Sequence, residues 1–261
     1  MKIGIIGGTG FYELFENARM FIHHNKYGTS SEIYQKEISG KVVYFLPRHG
    51  PRHNIIVSRI NYRANIWAFK ELGVTRIIAT NSVGAINPEM HPGDIVIPND
   101  FIDFTRRFPR SLYDNETVAI HVNMIPPYCP EIRNLLIKVS KEMYPEIATY
   151  GSAVILVHEG LRFETPAELK LYKNWGADIV GMTTIPEVVF AREANICYAQ
   201  ICIPTNYATG NEEIKASEFK QIFKKGILNV KKIIFKTISL LPEERKCLCK
   251  DAVKNGILKR E

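Results

Sequence analysis

The chain holds 261 residues, 46% hydrophobic and 23% charged, a mix that excludes disorder, a collagen-like rod and a coiled coil. Thirty-four Lys and Arg against 27 Asp and Glu give a net charge of +7, which invites a polyanion partner until the charge is located. Residues 215–261 carry 13 basic and 5 acidic side chains, and residues 1–214 carry the remaining 21 against 22, so the whole excess lies in the last segment.

Taken in order, short β-branched runs alternate with helical periodicity. Strands are predicted at Ile3–Ile6, Val42–Leu46, Arg76–Asn81, Asp94–Pro98, Ala153–Val157, Asp178–Val180 and Cys197–Ile203. Helices are predicted at Asn61–Leu72, Glu131–Met143, Pro166–Trp175, Glu187–Ala194 and Ser217–Leu241. In the last, Phe219, Ile222, Phe223, Ile227, Val230, Ile234, Ile238 and Leu241 form an apolar face. Lys220, Lys224, Lys225, Lys231, Lys232 and Lys236 fill the other, which reads as the solvated side of a docked helix. The alternation implies a single α/β domain over residues 1–241 with a central, mostly parallel sheet flanked by helices. A basic tail, 242–261, follows.

No apolar run approaches the roughly 18 residues of a membrane span. Met1-Lys2-Ile3 leads straight into strand-like sequence without a signal-peptide pattern, so a cytoplasmic location is expected. The five cysteines, Cys129, Cys197, Cys202, Cys247 and Cys249, are odd in number and scattered, and no Cys/His set has zinc spacing. No metal or cofactor is expected. Cys247 and Cys249 read as ordinary thiols of a polar tail, or as a tail-locking disulfide of the kind found inside hyperthermophiles.

Three strand ends carry groups suited to an anion. Gly7-Gly8-Thr9-Gly10 exposes backbone N–H groups and a hydroxyl, but lacks the G-x-G-x-x-G spacing of a dinucleotide fingerprint. Arg48-His49-Gly50-Pro51-Arg52-His53 brings two Arg and two His directly after a strand, and an Arg fork suits phosphate oxygens. Asn81-Ser82-Val83-Gly84-Ala85 ends a strand with small polar residues, at the edge where α/β sheets take their ligands. A basic surface loop and tight turns are the competing readings of these segments.

Gly7-Gly8-Thr9-Gly10 and Arg48-His49-Gly50, with Asn61-Tyr62-Arg63-Ala64-Asn65-Ile66-Trp67-Ala68, Pro92-Gly93-Asp94-Ile95-Val96-Ile97 and Gly181-Met182-Thr183-Thr184-Ile185-Pro186-Glu187-Val188, resemble the trimeric purine nucleoside phosphorylase and methylthioadenosine phosphorylase family, although Asn81 and Ser82 stand where the methylthioadenosine branch often has Thr and Ala. The methylthioadenosine branch is closer, and the resemblance runs in order from about residue 2 to 240. It implies a partly barrel-like sheet and cleavage of a purine nucleoside by orthophosphate to free base and pentose 1-phosphate. It implies a homotrimer or dimer of trimers. Phosphate would be held by Thr9, Arg48, His49, Asn81, Ser82 and Thr183. Met182 would lie against ribose, Phe163 and Val180 near the purine, and Asn206 and Ala208 along its Hoogsteen edge. His121 would reach a neighbouring subunit's 5′ pocket, and Ala216 and Phe219 would line that pocket.

The chain departs from the adenine-specific pattern where the base is read. Phe163-Glu164-Thr165 and Thr205-Asn206-Tyr207-Ala208 replace F-S-S and T-D-Y-D, and Glu with Asn is the pairing of the 6-oxopurine branch. A Glu164 carboxylate accepts the N1–H of hypoxanthine or guanine and faces a lone pair on adenine. The expected reaction is therefore phosphorolysis of inosine, guanosine or 5′-methylthioinosine, with Asn206 as the catalytic residue. The same-fold alternative is a methylthioadenosine phosphorylase releasing adenine. A nucleic-acid-binding protein using the basic tail and a nicotinamide-dependent dehydrogenase using the glycine turn are the rivals from other classes. Leu161, where the family commonly has Pro, leaves the turn before Phe163 open.

Overall fold

In the computed structural model the described residues are 1–8, 15, 17–106, 109–114, 119–208, 216–254 and 256–258. In chain order they form β1 (Lys2–Gly7), β2 (Arg19–Asn25), β3 (Gly28–Ile38), β4 (Lys41–Pro47), α1 (Tyr62–Glu71), β5 (Arg76–Ala85), β6 (Ile95–Val96), β7 (Asp100–Phe104) and β8 (Ala119–Ile120). There follow α2 (Pro130–Met143), β9 (Thr149–Tyr150), β10 (Val154–His158), α3 (Pro166–Asn174), β11 (Ile179–Gly181), α4 (Thr184–Glu193), β12 (Cys197–Tyr207), α5 (Ala216–Leu240) and β13 (Ile257–Leu258).

The main sheet runs β2-β3-β4-β1-β5-β11-β10-β7, and β12 joins β5 and carries β6 and β9 off that path. Strand β5 is the branch point. It pairs parallel with β1 through Arg76–Ala79, parallel with β12 through nearly its whole length, and antiparallel with β11 at Gly84 and Ala85. With β5 meeting three partners, the sheet mixes parallel and antiparallel pairs and is mostly parallel, as expected.

Period-two alternation in the central strands feeds two cores. Ile6, Leu46, Ile77 and Ala79 face α1 and α4, where Ile66, Phe69, Val188 and Phe190 pack. Ile3, Ile5, Val43, Phe45 and Ile78 face the other way, onto Ile132, Leu136 and Val139 of α2 and Ile227, Val230 and Ile234 of α5. Helix α1 is capped by Asn61, whose side chain accepts from the Ala64 N–H, and α3 carries a full capping box between Thr165 and Glu168. No described helix is long and apolar enough to cross a membrane.

Two expectations are corrected here. Lys231 is buried rather than on the solvated face of α5. Cys247 and Cys249, read as thiols of a polar tail, are 7% and 2% exposed and belong to the core under α2 and α5. Arg245 donates to Asn195 O, the Lys246 N–H to Glu131 Oε1, and the Val253 N–H to Asn195 Oδ1, so this part of the tail is tied down by hydrogen bonds.

Candidate active site

The carboxyl ends of β1, β4, β5, β11 and β12 open onto one cavity of about 730 Å³, within the range of small-molecule sites and at the position ligands take in α/β sheets. Gly8, Arg48, His49, His53, Asn81, Ser82, Phe163, Glu164, Val180, Met182, Thr183 and Asn206 line it. Strand geometry alone thus gathers residues far apart in the chain.

At the β4 end, Arg48 is 2% exposed. Its Nε donates to Glu187 Oε1 at 2.5 Å, its Nη2 to Glu187 Oε2 at 2.9 Å, and its Nη1 to Thr80 O at 3.0 Å. The bidentate edge expected to grip phosphate is therefore engaged by a buried carboxylate on α4, which Tyr198 Oη also contacts at 2.9 Å. A guanidinium has five N–H groups, so the two not used in these bonds are the ones left to meet an anion. Burial works against the charge of Arg48, but Glu187 more than offsets it and the pKa is held above its ordinary value.

His49 behaves differently. Burial, followed by the nearby Arg48 charge, pushes its pKa down to about 4. Its Nδ1 donates to Ile55 O at 2.9 Å, so the neutral ring carries its proton there and keeps an Nε2 lone pair. The His53 ring lies 4.6 Å away, on a residue with φ of 52°. The loop thus offers a neutral acceptor beside a fixed cation.

Asn81 is committed to an internal network. Its Oδ1 accepts from Thr183 Oγ1 at 2.6 Å, and its Nδ2 donates to Gln200 Oε1 at 3.0 Å and to Thr184 Oγ1 at 3.2 Å. This amide positions Thr183 at the start of α4; its own polar atoms are already partnered, which corrects its expected place among the direct phosphate ligands. Ser82 and Thr183 line the cavity, the latter just before α4, whose backbone is extended at Ile185.

The opposite set comes from β10 and β12. Glu164, far from pointing to solvent, has a side chain 6% exposed, with Oε1 2.6 Å from His158 Nε2. His158 Nδ1 accepts the Gly160 N–H at 3.2 Å, while Nε2 meets the carboxylate in a close polar contact that is not aligned as a hydrogen bond. Gly160 has a φ of 80°, and a Cβ there would come within 2.7 Å of Met182 Sδ, so the turn that swings Phe163 and Glu164 inward needs glycine. Leu161 follows with φ of 65° and is 66% exposed, a left-handed conformation costly for a branched side chain.

On β12 the register against β5 shifts between Pro204 and Asn206. The extra residue, Thr205, bonds Val83 O through its hydroxyl. Such a bulge re-aims the side chains after it, and Asn206 is brought to the cavity wall with its described polar contacts confined to Thr205 and Tyr207. Ala208, expected on the wall, packs behind it instead: a Cβ on Gly84 would lie 2.9 Å from Ala208 Cβ and 3.1 Å from Val180 Cγ1. Phe223, Lys224 and Ile227 of α5 close the remaining side.

Thr9 lies outside the described residues, as does the side chain of Phe219, and of Ala216 only its helical backbone is described. His121 is exposed and away from this chain's cavity. Its N–H donates to Gly256 O at 2.7 Å, where β8 meets β13. Sequence reasoning missed His158, Glu187, Thr184 and Gln200. Only Glu187 carried a signal, an acidic residue within the otherwise apolar stretch 185–191 of α4.

A sheet with an anion-binding rim and an adjoining pocket lined by Glu and Asn defines a phosphorylase-type centre. Residues 2–239 match the Phosphorylase superfamily, and the chain belongs to it. It is 44% identical over 98% of its length to the probable S-methyl-5′-thioinosine phosphorylase of Methanocaldococcus jannaschii, covering 99% of that protein. It is likewise 44% identical to the 6-oxopurine nucleoside phosphorylase of Pyrococcus furiosus, over 98% of both chains. Among solved structures, a methylthioadenosine phosphorylase from an Antarctic soil metagenomic library superposes with a TM-score of 0.91 at 33% identity, over 98% of this chain and 92% of that one.

Proposed function

We propose that this protein cleaves 6-oxopurine nucleosides with orthophosphate, releasing hypoxanthine or guanine and a ribose 1-phosphate, with the 5′-methylthio nucleoside as a further substrate. The observation that carries the reading is the meeting of Glu164 and Asn206 in one cavity, with Glu164 fixed by His158. A carboxylate there accepts N1–H, and an amide offers both a donor and an acceptor to O6 and N7. Adenine reverses the polarity at positions 1 and 6 and leaves buried groups unpaired.

In the reaction, the C1′–N9 bond breaks with its electron pair passing to the purine, while a phosphate oxygen bonds C1′ from the other face, inverting its configuration. The transition state resembles an oxocarbenium ion. Negative charge builds on the base, where the Asn206 amide stabilises it or shares the proton arriving at N7. Phosphate is held by Ser82, Thr183, the remaining N–H groups of Arg48 and the His49 lone pair, with Gly8 closing the rim. Holding both substrates in register supplies a further part of the rate.

A second reading, release of adenine from 5′-methylthioadenosine, is favoured by the apolar wall that Val57, Met182, Phe223 and Ile227 give the cavity and by the likeness to methylthioadenosine phosphorylases. Comparing inosine, guanosine, 5′-methylthioinosine and 5′-methylthioadenosine as substrates separates the two. His121, presented at the surface, fits a homotrimer or dimer of trimers in which it completes a neighbour's 5′ pocket. The reaction needs no cofactor, and a cytoplasmic role in purine salvage suits its substrates.

A further inference from the structure

Four of the five cysteines meet at one point on the far side of the sheet from the substrate cavity. Cys129 caps the N-terminus of α2, Cys197 opens β12, and Cys247 and Cys249 flank a residue of the tail. All four are buried, and their Sγ atoms lie within 4.8 Å of one another, the Cys197–Cys247 pair at 3.3 Å. We propose that this cluster is a tetrathiolate site for one zinc ion.

The geometry fits the ion. A tetrahedron with Zn–S bonds of about 2.3 Å has sulfurs about 3.8 Å apart, a spacing compatible with a cluster whose sulfurs all lie within 4.8 Å of one another. The donor set is sulfur only, which favours a soft or borderline ion over magnesium or calcium. Four thiolates on a divalent ion leave two negative charges. Buried Arg192 answers one of them, with Nη1 3.7 Å from Cys249 Sγ, and the α2 N-terminus beside Cys129 favours negative charge.

The framework holds the ligands in place from three directions. Arg192 also donates to the carbonyls of Pro126 and Pro127, fixing the chain just before Cys129. Arg76 donates to Glu244 O at 2.9 Å and Arg245 to Asn195 O at 2.7 Å, fixing the segments before Cys247 and Cys197. Sequence spacing hid the set because its members come from positions 129, 197 and 247–249, joined only by the fold. Cys202, the fifth cysteine, is buried elsewhere on β12 and takes no part.

Cys197 is the first residue of β12 and Asn206 lies near its last, so the ion is structural and remote from the reaction. Its effect is on the tail, which continues to Gly256 and there accepts from the His121 N–H. Releasing the ion frees both the tail and that loop.

The test is metal analysis of the full chain purified under reducing conditions, followed by replacement of the metal with cobalt(II). One zinc per chain, and a cobalt form with intense thiolate charge-transfer and tetrahedral d–d bands, are expected. Cys202→Ser should keep the ion, while Cys247→Ser with Cys249→Ser should lose it and admit protease to the tail. Four free thiols without metal, two disulfides seen by mass after alkylation, or iron in place of zinc would each overturn the assignment. The cobalt spectrum is read on the unaltered chain and is independent of substrate choice, so it stands or falls apart from the proposed reaction.

Discussion

His158 Nε2 lies 2.6 Å from Glu164 Oε1, and both side chains are buried at the wall of the substrate cavity. His158 receives the Gly160 N–H on its other nitrogen, so one turn of chain orients the ring, and the ring packs closely against the carboxylate. That arrangement gives Glu164 a single orientation before substrate arrives, which is how a site avoids an ordering cost on binding. His158→Ala should raise KM for inosine about tenfold, the loss of a close polar contact to a buried charged group, with a smaller change in kcat. His158→Asn, able to donate to the carboxylate, should restore part of it. Equal loss in both variants would make the ring a packing element only.

The Arg48–Glu187 pair is a second buried charge couple, and its partners are unequal in consequence. Glu187→Gln keeps the volume but leaves Arg48 without its counter-charge, which should cost about 3–5 kcal/mol of folding stability in urea titrations. Replacing both, with Arg48→Met and Glu187→Leu, should cost less than the single change. A loss below about 1 kcal/mol for Glu187→Gln would show that Arg48 finds another way to stay charged.

His49 sets a pH dependence with a definite sign. Its pKa in the folded, ligand-free protein is about 4, below the ordinary imidazole value near 6.5. The stability this ring supports is present above pH 6.5 and falls as pH drops toward 4, because the unfolded chain takes up the proton first. An oxyanion beside Nε2 raises the folded pKa, so binding must take up protons. Sulfate, which has no titrating proton between pH 5 and 7, should bind more tightly at pH 5 than at pH 7. Calorimetry in buffers of different ionisation heat should show proton uptake; pH-independent binding without uptake would remove His49 from the anion site.

Asn206 is the residue on which selectivity turns. Asn206→Asp converts a donor into an acceptor along the purine's imidazole and 6-position edge. The ratio of kcat/KM for inosine to that for 5′-methylthioadenosine should fall by at least tenfold. An unchanged ratio would place the discrimination elsewhere.

Much of this site could be read from the chain because it is built at strand ends. Arg48, His49, Ser82 and Thr183 each follow or end a run of β-branched residues, and such runs converge in a parallel sheet whatever their sequence separation. The internal bonds of Arg48 and Asn81 were not legible for one reason: their partners, Glu187 and the Thr184–Gln200 pair, lie on elements whose packing no local pattern reveals. The hairpin of β2 and β3 was invisible because β2 is an edge strand and both strands are mostly exposed or half-buried, without a clean apolar alternation. Its neighbour β4, buried along most of its length, was plain. Lys231 and the four clustered cysteines show the same limit from the other side, since burial is a property of the assembled layers.

The central claim is that Glu164 and Asn206 read a 6-oxopurine. Its most direct test is kcat/KM, with phosphate saturating, for 5′-methylthioinosine against 5′-methylthioadenosine. The two differ only at purine position 6 and the protonation of N1, so the 5′ pocket drops out of the comparison. A preference of about 10⁴ for hypoxanthine release is the result expected of a site whose buried polar groups are matched by one base and left unpaired by the other. Equal or faster adenine release would contradict it.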